Sequence, residues 1–227
     1  MIQMGVFFKY WNQEYNMKYV KDIGFILLLI FLIGCIGQEK EPEIEQESPN
    51  VEITPLEDFF VMDIGKIPDI AIEEWTLKVT GLVDNPLVLT YEDILSYPSV
   101  TQVTYLYCMP GLEATGEWTG VPLKTILEKA GYSQSTISVV FYAADEYTSS
   151  ISLEKALQED TLLAYKVNGV VLPQEHGYPL RVVIPDKVGY KWVKWIVKIE
   201  LVDNEYEGYW ESRGYSNVGD TPKAKSQ

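Results

Sequence analysis

The sequence predicts a β-rich α+β domain with short helices, and three stretches carry this prediction. Residues 75–83, WTLKVTGLV, alternate apolar and polar side chains with the period of two that is typical of a strand. Residues 100–107 are rich in β-branched and aromatic side chains, which favour extended backbone. Residues 192–202 place apolar side chains at every second position from Val193 to Leu201, which predicts a further strand. The helical patterns between the strands are short, which favours the α+β class.

Capping residues predict where the short helices begin. Thr90 and Asp93 have the spacing of a capping box, so a helix is expected over 91–95. A second helix is expected over 122–130, because proline stands at its start and glycine directly after its end. The other predicted elements are a strand over 137–143, a helix over 153–158 capped by Ser152, a hairpin of strands 162–167 and 170–172 around Asn168-Gly169, and a strand over 181–184.

The composition is that of a globular protein with an acidic surface. Of the 227 residues, 47% are hydrophobic and 22% are charged, and the formal net charge is −15. Proteins that bind nucleic acid usually present a basic surface, so nucleic acid is not expected as a partner. The chain contains two cysteines, far apart in the sequence, and one histidine. These counts exclude a Cys-x-x-Cys redox pair and a histidine-rich zinc site.

The N-terminal part of the chain predicts export and a lipid anchor. Lys18 and Lys21 precede an unbroken apolar run over 23–33. That length suits a signal peptide and is short for a membrane-spanning helix. The motif Leu-Ile-Gly-Cys that ends at Cys35 resembles a lipobox, so residues 1–35 are interpreted as a signal segment and Cys35 as the lipidated residue. The alternative is a retained transmembrane anchor, and both interpretations place the domain at the extracytoplasmic face of the cell membrane.

The boundaries of the folded domain follow from composition. Residues 38–50 carry glutamate at five alternate positions and contain too little apolar surface to fold. Residues 36–54 are therefore predicted to form a disordered acidic linker. The folded domain is predicted over 55–220, and residues 221–227 are left as a tail.

One cysteine lies inside the predicted domain. Cys108 follows the strand predicted over 100–107 and precedes the turn signal Pro110-Gly111. Functional residues often lie where a strand enters a loop. A lone cysteine is nevertheless more often an inert residue of the core. The residues by themselves leave both interpretations open.

Basic residues gather in one stretch of this acidic chain, namely Arg181, Lys187, Lys191 and Lys194. Arginine and lysine bind phosphate groups, and Gly189 among them would let backbone N–H groups approach an anion closely. Lysines also protect the exposed edge of a hairpin from pairing with other chains. The residues by themselves favour neither interpretation.

Blocks of residues spread over 55–220 match a known family. They are EDFFV at 57–61, WTLKVTGLVDNPLVLTYEDI at 75–94, Cys108, GEWTGVPL at 116–123, HGYPLRVVIP at 176–185, GYKWVKWI at 189–196 and GYWESRGYSN at 208–217. In this order they resemble the molybdopterin-binding oxidoreductase domain of the sulfite oxidase family, which includes periplasmic methionine sulfoxide reductases. The resemblance implies the β-rich mixed-sheet fold of that family.

The resemblance also implies a cofactor and the residues that hold it. The family binds a mononuclear molybdenum through the dithiolene of molybdopterin and one protein cysteine, and Cys108 matches that catalytic metal ligand. A deprotonated thiol suits such a metal. His176 and Arg181 match positions that contact the pterin and its phosphate. The loop around the phosphate is matched by Gly189, Tyr190 and Lys191.

The sequence departs from the family pattern at three places. Residues 62–65, MDIG, stand where many members carry a polar Asn/His pair that touches the cofactor. Within 141–144, FYAA, alanine replaces a hydroxyl residue that some relatives use. The leader lacks the Arg-Arg pair that is usual in exported members. Further candidates for the pocket are Tyr107, Glu113, Asp145 and Tyr147.

The resemblance implies an oxidoreductase that transfers an oxygen atom to or from a small substrate such as an S-oxide or sulfite. The basic residues are assigned to the cofactor, so no separate pocket for an anion is evident and reduction is favoured slightly. The sequence has no Cys-x-x-Cys-His haem motif. Electrons are therefore expected to come from a membrane partner, either a cytochrome or a quinone-linked protein. The alternative is a non-catalytic lipoprotein that keeps the fold as a ligand- or partner-binding module.

Overall fold

The computed structural model describes residues 51–108 and 111–222. They belong to the second of the two units into which the chain divides, Pro49–Gln227. The predicted signal segment with Cys35, and residues 36–50 of the predicted linker, lie outside the described residues. Among the helices of the described ranges, none is long and apolar enough to cross a membrane.

The described residues form ten strands and three α-helices. The strands are β1 (Leu77–Gly81), β2 (Leu87–Leu89), β3 (Val100–Cys108), β4 (Leu112–Pro122), β5 (Ser138–Ala143), β6 (Thr148–Ser152), β7 (Leu162–Val167), β8 (Val170–Val171), β9 (Arg181–Val183) and β10 (Ile196–Val202). The helices are α1 (Tyr91–Ser96), α2 (Leu123–Ala130) and α3 (Leu153–Ala156). Short 3-10 helices cover Leu56–Asp58, Gln174–His176, Gly189–Lys191 and Glu211–Arg213.

The strands form two five-stranded sheets. The first has the order β2-β1-β10-β5-β6, in which β1 and β10 are parallel and the other pairs are antiparallel. The second has the order β3-β4-β7-β8, with β9 also paired to β7, and all of its pairs are antiparallel. This β-rich architecture with a mixed sheet confirms the predicted fold class.

The helix boundaries follow the predicted caps. The Thr90 hydroxyl accepts the N–H of Asp93, and the Asp93 carboxylate accepts the N–H of Thr90, which completes the capping box of α1. Helix α2 ends at Gly131, whose φ of 70° is left-handed, and α3 begins with Ser152 as its cap. Each predicted helix is therefore present, although α3 is shorter than the predicted 153–158.

The hairpin of β7 and β8 has the predicted two-residue turn. Asn168 has φ 48° and Gly169 has φ 77°. Two successive residues with positive φ define the type I′ turn, whose twist matches that of the strands it joins. The Asn168 side chain also accepts the backbone N–H of Glu117 in β4 and donates to the carbonyl of Thr54. Thr54, which the composition assigns to the linker, is thus bonded to the sheet.

The strand predicted over 192–202 is wrong in its first four residues. The chain leaves the Gly189–Lys191 helix and reaches β10 only at Ile196. Trp195 adopts a left-handed φ of 51°, and its indole N–H donates to the carbonyl of Gln174 instead of pointing along a strand face. The register with β5 then shifts between Ile196 and Lys198. The alternating apolar pattern therefore comes from two parts of the chain, since Val193 and Trp195 are buried in the segment before β10 and Ile199 and Leu201 are buried within β10.

The long strand β4 was missed because glycines weaken its pattern. Gly116 and Gly120 lie within Leu112–Pro122, and glycine disfavours extended backbone in isolation. The structure explains Gly120. An added Cβ there would lie 2.3 Å from the carbonyl oxygen of Leu163 and 2.6 Å from the Cα of Ala164 in the paired strand β7. Close approach of two backbones therefore requires glycine at this position.

One hydrophobic cluster joins the two sheets. It includes Leu77 and Phe141 from the first sheet and Trp118 and Leu163 from the second, all fully buried. The inner face of α2 is also buried, as predicted, through Leu123, Ile126, Leu127 and Ala130. The cluster includes Leu106 of β3 and Val182 of β9, and Cys108 and Arg181 on the same two strands line the site described below.

Replacing Gly120 by alanine should destabilise the fold. The added methyl group would overlap backbone atoms of β7, which cannot move as a side chain could, so we expect a loss of about 2–3 kcal/mol in the free energy of unfolding. Chemical denaturation of Gly120→Ala against the unmodified protein measures this. The control is Val103→Ala on the exposed side of β3, which should cost less than about 1 kcal/mol. Equal losses in the two variants would contradict the close packing of β4 on β7.

Candidate functional site

One cavity brings together five of the six residues predicted to hold the cofactor: Cys108, His176, Arg181, Gly189 and Tyr190. Its volume is about 170 Å³. Aromatic and apolar side chains form much of the remaining wall, with Asp63, Asp145 and Lys194 as its other charged groups. The cavity therefore combines a thiol, cations and apolar surface in one place.

Cys108 is held beside the Gly189–Lys191 turn. Tyr107 forms a parallel bridge with Val188, which places the start of the turn against the end of β3. A Cβ added at Gly189 would lie 3.3 Å from the carbonyl oxygen of Tyr107 and 3.5 Å from the Cβ of Cys108. An added methyl group would therefore press on the carbonyl of Tyr107, while its contact with Cys108 would be an ordinary van der Waals contact.

Arg181 places a positive charge in the interior, and no carboxylate among the described residues forms an ion pair with it. The residue is 5% exposed and its guanidinium lies 4.8 Å from the ring centroid of Trp118. It donates to the carbonyls of His176 (3.0 Å) and Trp192 (3.4 Å), whereas its Nε has no partner among the described residues. Burial lowers the pKa of Arg181, yet a guanidinium stays charged at neutral pH. A buried charge of this kind is stable when an anion neutralises it.

Lys194 supplies a second cation that the sequence prediction left outside the site. Its ammonium donates to the carbonyl of Glu175 at 2.8 Å and lies 4.1 Å from the ring centroid of Trp195. Burial, followed by the charge of Arg181, lowers the pKa of Lys194 to about 8. Its membership of the basic cluster was the available signal, but only the fold shows which lysine of that cluster faces the cavity.

His176 is a neutral member of the site. It is buried, and its ring meets Phe59 edge to face at 5.8 Å. Burial is the main reason that the pKa of His176 is lowered from its ordinary value, and the charge of Arg181 adds to it. The imidazole is therefore uncharged at pH 7 and can act as a neutral hydrogen-bonding group.

The structure does not bring the side chain of Lys191 to the cavity. Its ammonium lies in the interior, 2.6 Å from Glu211 Oε1 and 2.9 Å from the carbonyl of Ser150, and both charged side chains have no exposed surface. Tyr190 does line the cavity, and its hydroxyl donates to the carbonyl of Ser216. The predicted contact of Lys191 with a phosphate is thus not available to its ammonium in this arrangement, because the charge is satisfied elsewhere.

Two of the four further pocket candidates, Asp145 and Tyr147, line the cavity. The Tyr147 hydroxyl donates to the carbonyl of Tyr190 at 2.6 Å. Tyr107 and Glu113 are not among the lining residues and instead face each other across β3 and β4.

Sequence reasoning missed most of the aromatic wall. Trp210 and Tyr215, with ring centroids 5.0 Å apart, line the cavity from the C-terminal part of the chain. Phe60 and Met62 line it from the N-terminal part. Phe60, Trp210 and Tyr215 lie in blocks that match the family, but nothing in the sequence pattern shows that residues so far apart in the chain share one wall.

These residues fit a metal that is carried by an anionic organic ligand. The Cys108 thiol is a soft donor, and the buried Arg181 with its unpartnered Nε and the Lys194 ammonium suit phosphate or other anionic groups. Gly189, which has no side chain, lies beside Cys108 in the wall of the cavity.

The comparison with known families agrees with this chemistry. Residues 64–210 match the family described as the oxidoreductase molybdopterin binding domain. The chain therefore belongs to this family, as its sequence blocks predicted.

Individual relatives are similar over most of the folded domain. The "Uncharacterized oxidoreductase YuiH" of Bacillus subtilis is 35% identical over 174 residues, which cover 76% of this chain and 87% of that protein. The "Putative protein-methionine-sulfoxide reductase subunit YedZ1" of Azospira oryzae is 34% identical over 154 residues, or 68% of this chain and 59% of that protein. The crystal structure of the sulfane dehydrogenase SoxCD from Paracoccus pantotrophus superposes with a TM-score of 0.64 at 29% identity, covering 71% of this chain and 50% of that chain.

The protein is thus a molybdopterin-dependent oxidoreductase, and the molybdenum cofactor is its cofactor. This confirms the predicted family, enzyme class and cofactor. The assignment of Cys108 as metal ligand, and of the other cavity residues as cofactor contacts, stays a prediction that the geometry makes concrete.

The affinity of the cofactor-free cavity for an anion should fall as the pH rises through about 8. Above that pH Lys194 loses its proton, and the cavity loses one of its two cations. Sulfate keeps one charge state over this range, so we expect its dissociation constant, measured by calorimetry, to rise on the order of 10-fold from pH 7 to pH 9.

Two variants control this experiment. Lys194→Gln should bind sulfate more weakly at pH 7 and without the pH dependence. Lys129→Gln, on an exposed position of α2, should behave as the unmodified protein. A pH dependence that survives in Lys194→Gln would show that another group titrates.

Proposed function

We propose that the protein is an extracytoplasmic, lipid-anchored reductase that removes the oxygen atom from a small neutral S-oxide. The observation that carries the proposal is the charge balance of the cavity, whose lining offers no cation in excess for an anionic substrate. Lys194 interacts electrostatically with Asp63 and Asp145, the charge of Arg181 is assigned to the anionic groups of the cofactor, and His176 is neutral at pH 7. The phosphate of the cofactor adds further negative charge.

The described residues divide between holding the cofactor and shaping the substrate space. The cofactor, when bound, supplies the two-electron redox chemistry. Cys108 would hold its metal through the thiolate, while Arg181 and Lys194 would neutralise its anionic groups. The backbone of Gly189 and Tyr190 lies beside the thiol and can approach the same groups.

The entrance of the cavity is apolar and aromatic. Met62 and Tyr215 are 48% and 41% exposed, whereas Arg181 is buried, so the apolar residues lie toward solvent and the cation lies deep. Phe60 and Trp210 complete this part of the wall. Such a surface suits the alkyl or aryl groups of a sulfoxide, whereas a small inorganic anion such as sulfite would gain nothing from it.

Reduction of an S-oxide consumes two electrons and two protons and releases a sulfide and water. Asp145 is the half-buried carboxyl group of the cavity, and burial raises its pKa above the ordinary value. It is therefore better suited than an exposed aspartate to deliver a proton to the departing oxygen. The backbone N–H of Tyr147 donates to its Oδ1 and orients the group.

The proposal includes a separate protein as the electron donor, since residues 1–227 carry no Cys-x-x-Cys-His haem motif. A membrane cytochrome or quinone-linked protein is the proposed donor. Lipidation of Cys35 would keep the enzyme at the membrane surface where such a donor lies. Similarity to a protein named as a reductase subunit supports an electron-transfer partner.

The reaction can be tested with protein purified from a host that makes the molybdenum cofactor. We expect stoichiometric molybdenum and turnover of neutral S-oxides, such as dimethyl sulfoxide, with a reduced viologen dye. Sulfite with an oxidising dye should give little or no turnover. Cys108→Ser should lower both metal content and turnover on the order of 100-fold or more. Replacing a residue that only orients a metal ligand already lowers metal affinity or activity by up to about 100-fold, and Cys108 is the predicted ligand itself.

The second cysteine provides the matched control for that experiment. Cys35→Ser makes the same chemical change outside the predicted domain and should keep molybdenum and turnover unchanged. Sulfite oxidation faster than S-oxide reduction, or turnover by the metal-depleted Cys108→Ser protein, would refute the proposed reaction.

The lipid anchor can be tested separately. Cys35→Ser should abolish labelling by a fatty-acid analogue and move the protein from the membrane to the soluble fraction of cells. Retention in the membrane without labelling would instead support an uncleaved transmembrane anchor.

A further inference from the structure

We infer that Glu211 is a positioning residue of the active site. Its buried ion pair with Lys191 holds the aromatic wall, Trp210 and Tyr215, against the cofactor turn, Gly189–Lys191, and so fixes the substrate entrance. The inference rests on the proposed function for the choice of substrate only.

The ion pair ties three segments together. Lys191 Nζ lies 2.6 Å from Glu211 Oε1, and neither side chain is exposed. The same ammonium donates to the carbonyl of Ser150 at 2.9 Å, and the Ser149 hydroxyl donates to the same carboxylate oxygen. The cofactor turn, strand β6 and the 3-10 helix Glu211–Arg213 therefore meet at one buried network.

Both members of the pair are adjacent in sequence to residues that line the cavity. Lys191 follows Tyr190, and Glu211 follows Trp210. The rings continue the connection, because the centroids of Tyr190 and Tyr215 are 5.5 Å apart and those of Trp210 and Tyr215 are 5.0 Å apart. A shift of the pair would move the aromatic wall relative to the cofactor turn.

The C-terminal segment, residues 203–222, is anchored before and after the wall by other contacts. Near its start, the N–H of Tyr209 donates to the carbonyl of Thr148, and a Cβ at Gly208 would lie 2.3 Å from that same oxygen. Near its end, the N–H of Val188 donates to the carbonyl of Gly219, and Lys187 pairs with Asp220.

Between those anchors the segment depends on Glu211. Of residues 209–218, all of them described, Glu211 is the one that is buried, and residues 212–216 are exposed. This stretch also contacts the cofactor turn through the bond from the Tyr190 hydroxyl to the carbonyl of Ser216 and through the rings of Tyr190 and Tyr215, but these groups lie nearer the surface. The pair of Lys191 and Glu211 is the buried link between the wall and the turn.

A buried ion pair fixes the relative position of two segments more effectively than it raises the free energy of unfolding. Apolar side chains of similar volume often match or exceed the stability that a buried ion pair gives, but they lack its directional hydrogen bonds. A variant with apolar residues at both positions can therefore separate the two roles, since it should fold while the directional link is lost.

The test compares Glu211→Gln, and the double variant Lys191→Met with Glu211→Leu, with the unmodified enzyme. Trypsin cleavage after the exposed Arg213 reports release of the segment and can be measured in cofactor-free protein. We expect cleavage on the order of 10-fold faster in both variants.

In the loaded enzymes, the KM for dimethyl sulfoxide should rise about 10-fold while kcat and molybdenum content change less than about 2-fold. Glu207→Gln, the same change at an exposed position of the segment, should match the unmodified protein.

Each outcome decides the inference. Unmodified cleavage and KM in the double variant would show that packing alone places the wall. Faster cleavage with an unchanged KM would overturn the link to the entrance. If the unmodified enzyme reduced no S-oxide, the proposed function would fail. The rate of trypsin cleavage after Arg213 would then still show whether the ion pair holds the segment. The KM of the variants and of the unmodified enzyme would be compared with whichever substrate the enzyme turns over.

Discussion

The buried charge of Arg181 is the constraint on which the site depends. Strand β9 pairs with β7 in the interior and places this guanidinium near Trp118 and Trp192, with no ion-pair partner among the described residues. A fold that needed only stability would neutralise such a charge or replace it. The cavity beside it, with the Cys108 thiol at its wall, is the arrangement expected where an anionic cofactor completes the structure.

Two cations of the same basic cluster have opposite roles. Lys194 borders the cavity, and its lowered pKa reflects burial beside another positive charge. Lys191, three residues earlier, is neutralised by Glu211 and links the cofactor turn to the C-terminal segment. Lys194 therefore contributes its charge to the cavity, whereas Lys191 makes a buried structural contact behind it.

Local signals in the sequence were sufficient for helix ends, tight turns and most strands. The capping box at Thr90, the stop at Gly131 and the turn at Asn168-Gly169 depend on a few neighbouring atoms, and the structure has them as predicted. Strand β4 is not predicted from the sequence, because its glycines weaken the local strand pattern. The reason for Gly120 is its close approach to the backbone of β7, which lies far away in the chain. The early start given to β10 failed for a related reason, since Trp195 is buried against Gln174 and not within a strand.

The sequence by itself determined the fold class, the family and the residue types available for the site, with Cys108 at the end of its strand. Those properties follow from local periodicity and from blocks of residues in a fixed order. Only the tertiary structure decided that Lys194 faces the cavity, that Lys191 turns to Glu211, and that Trp210 completes the wall. The physical reason is that a side chain's direction and the partner that neutralises it are set by contacts between residues far apart in the chain.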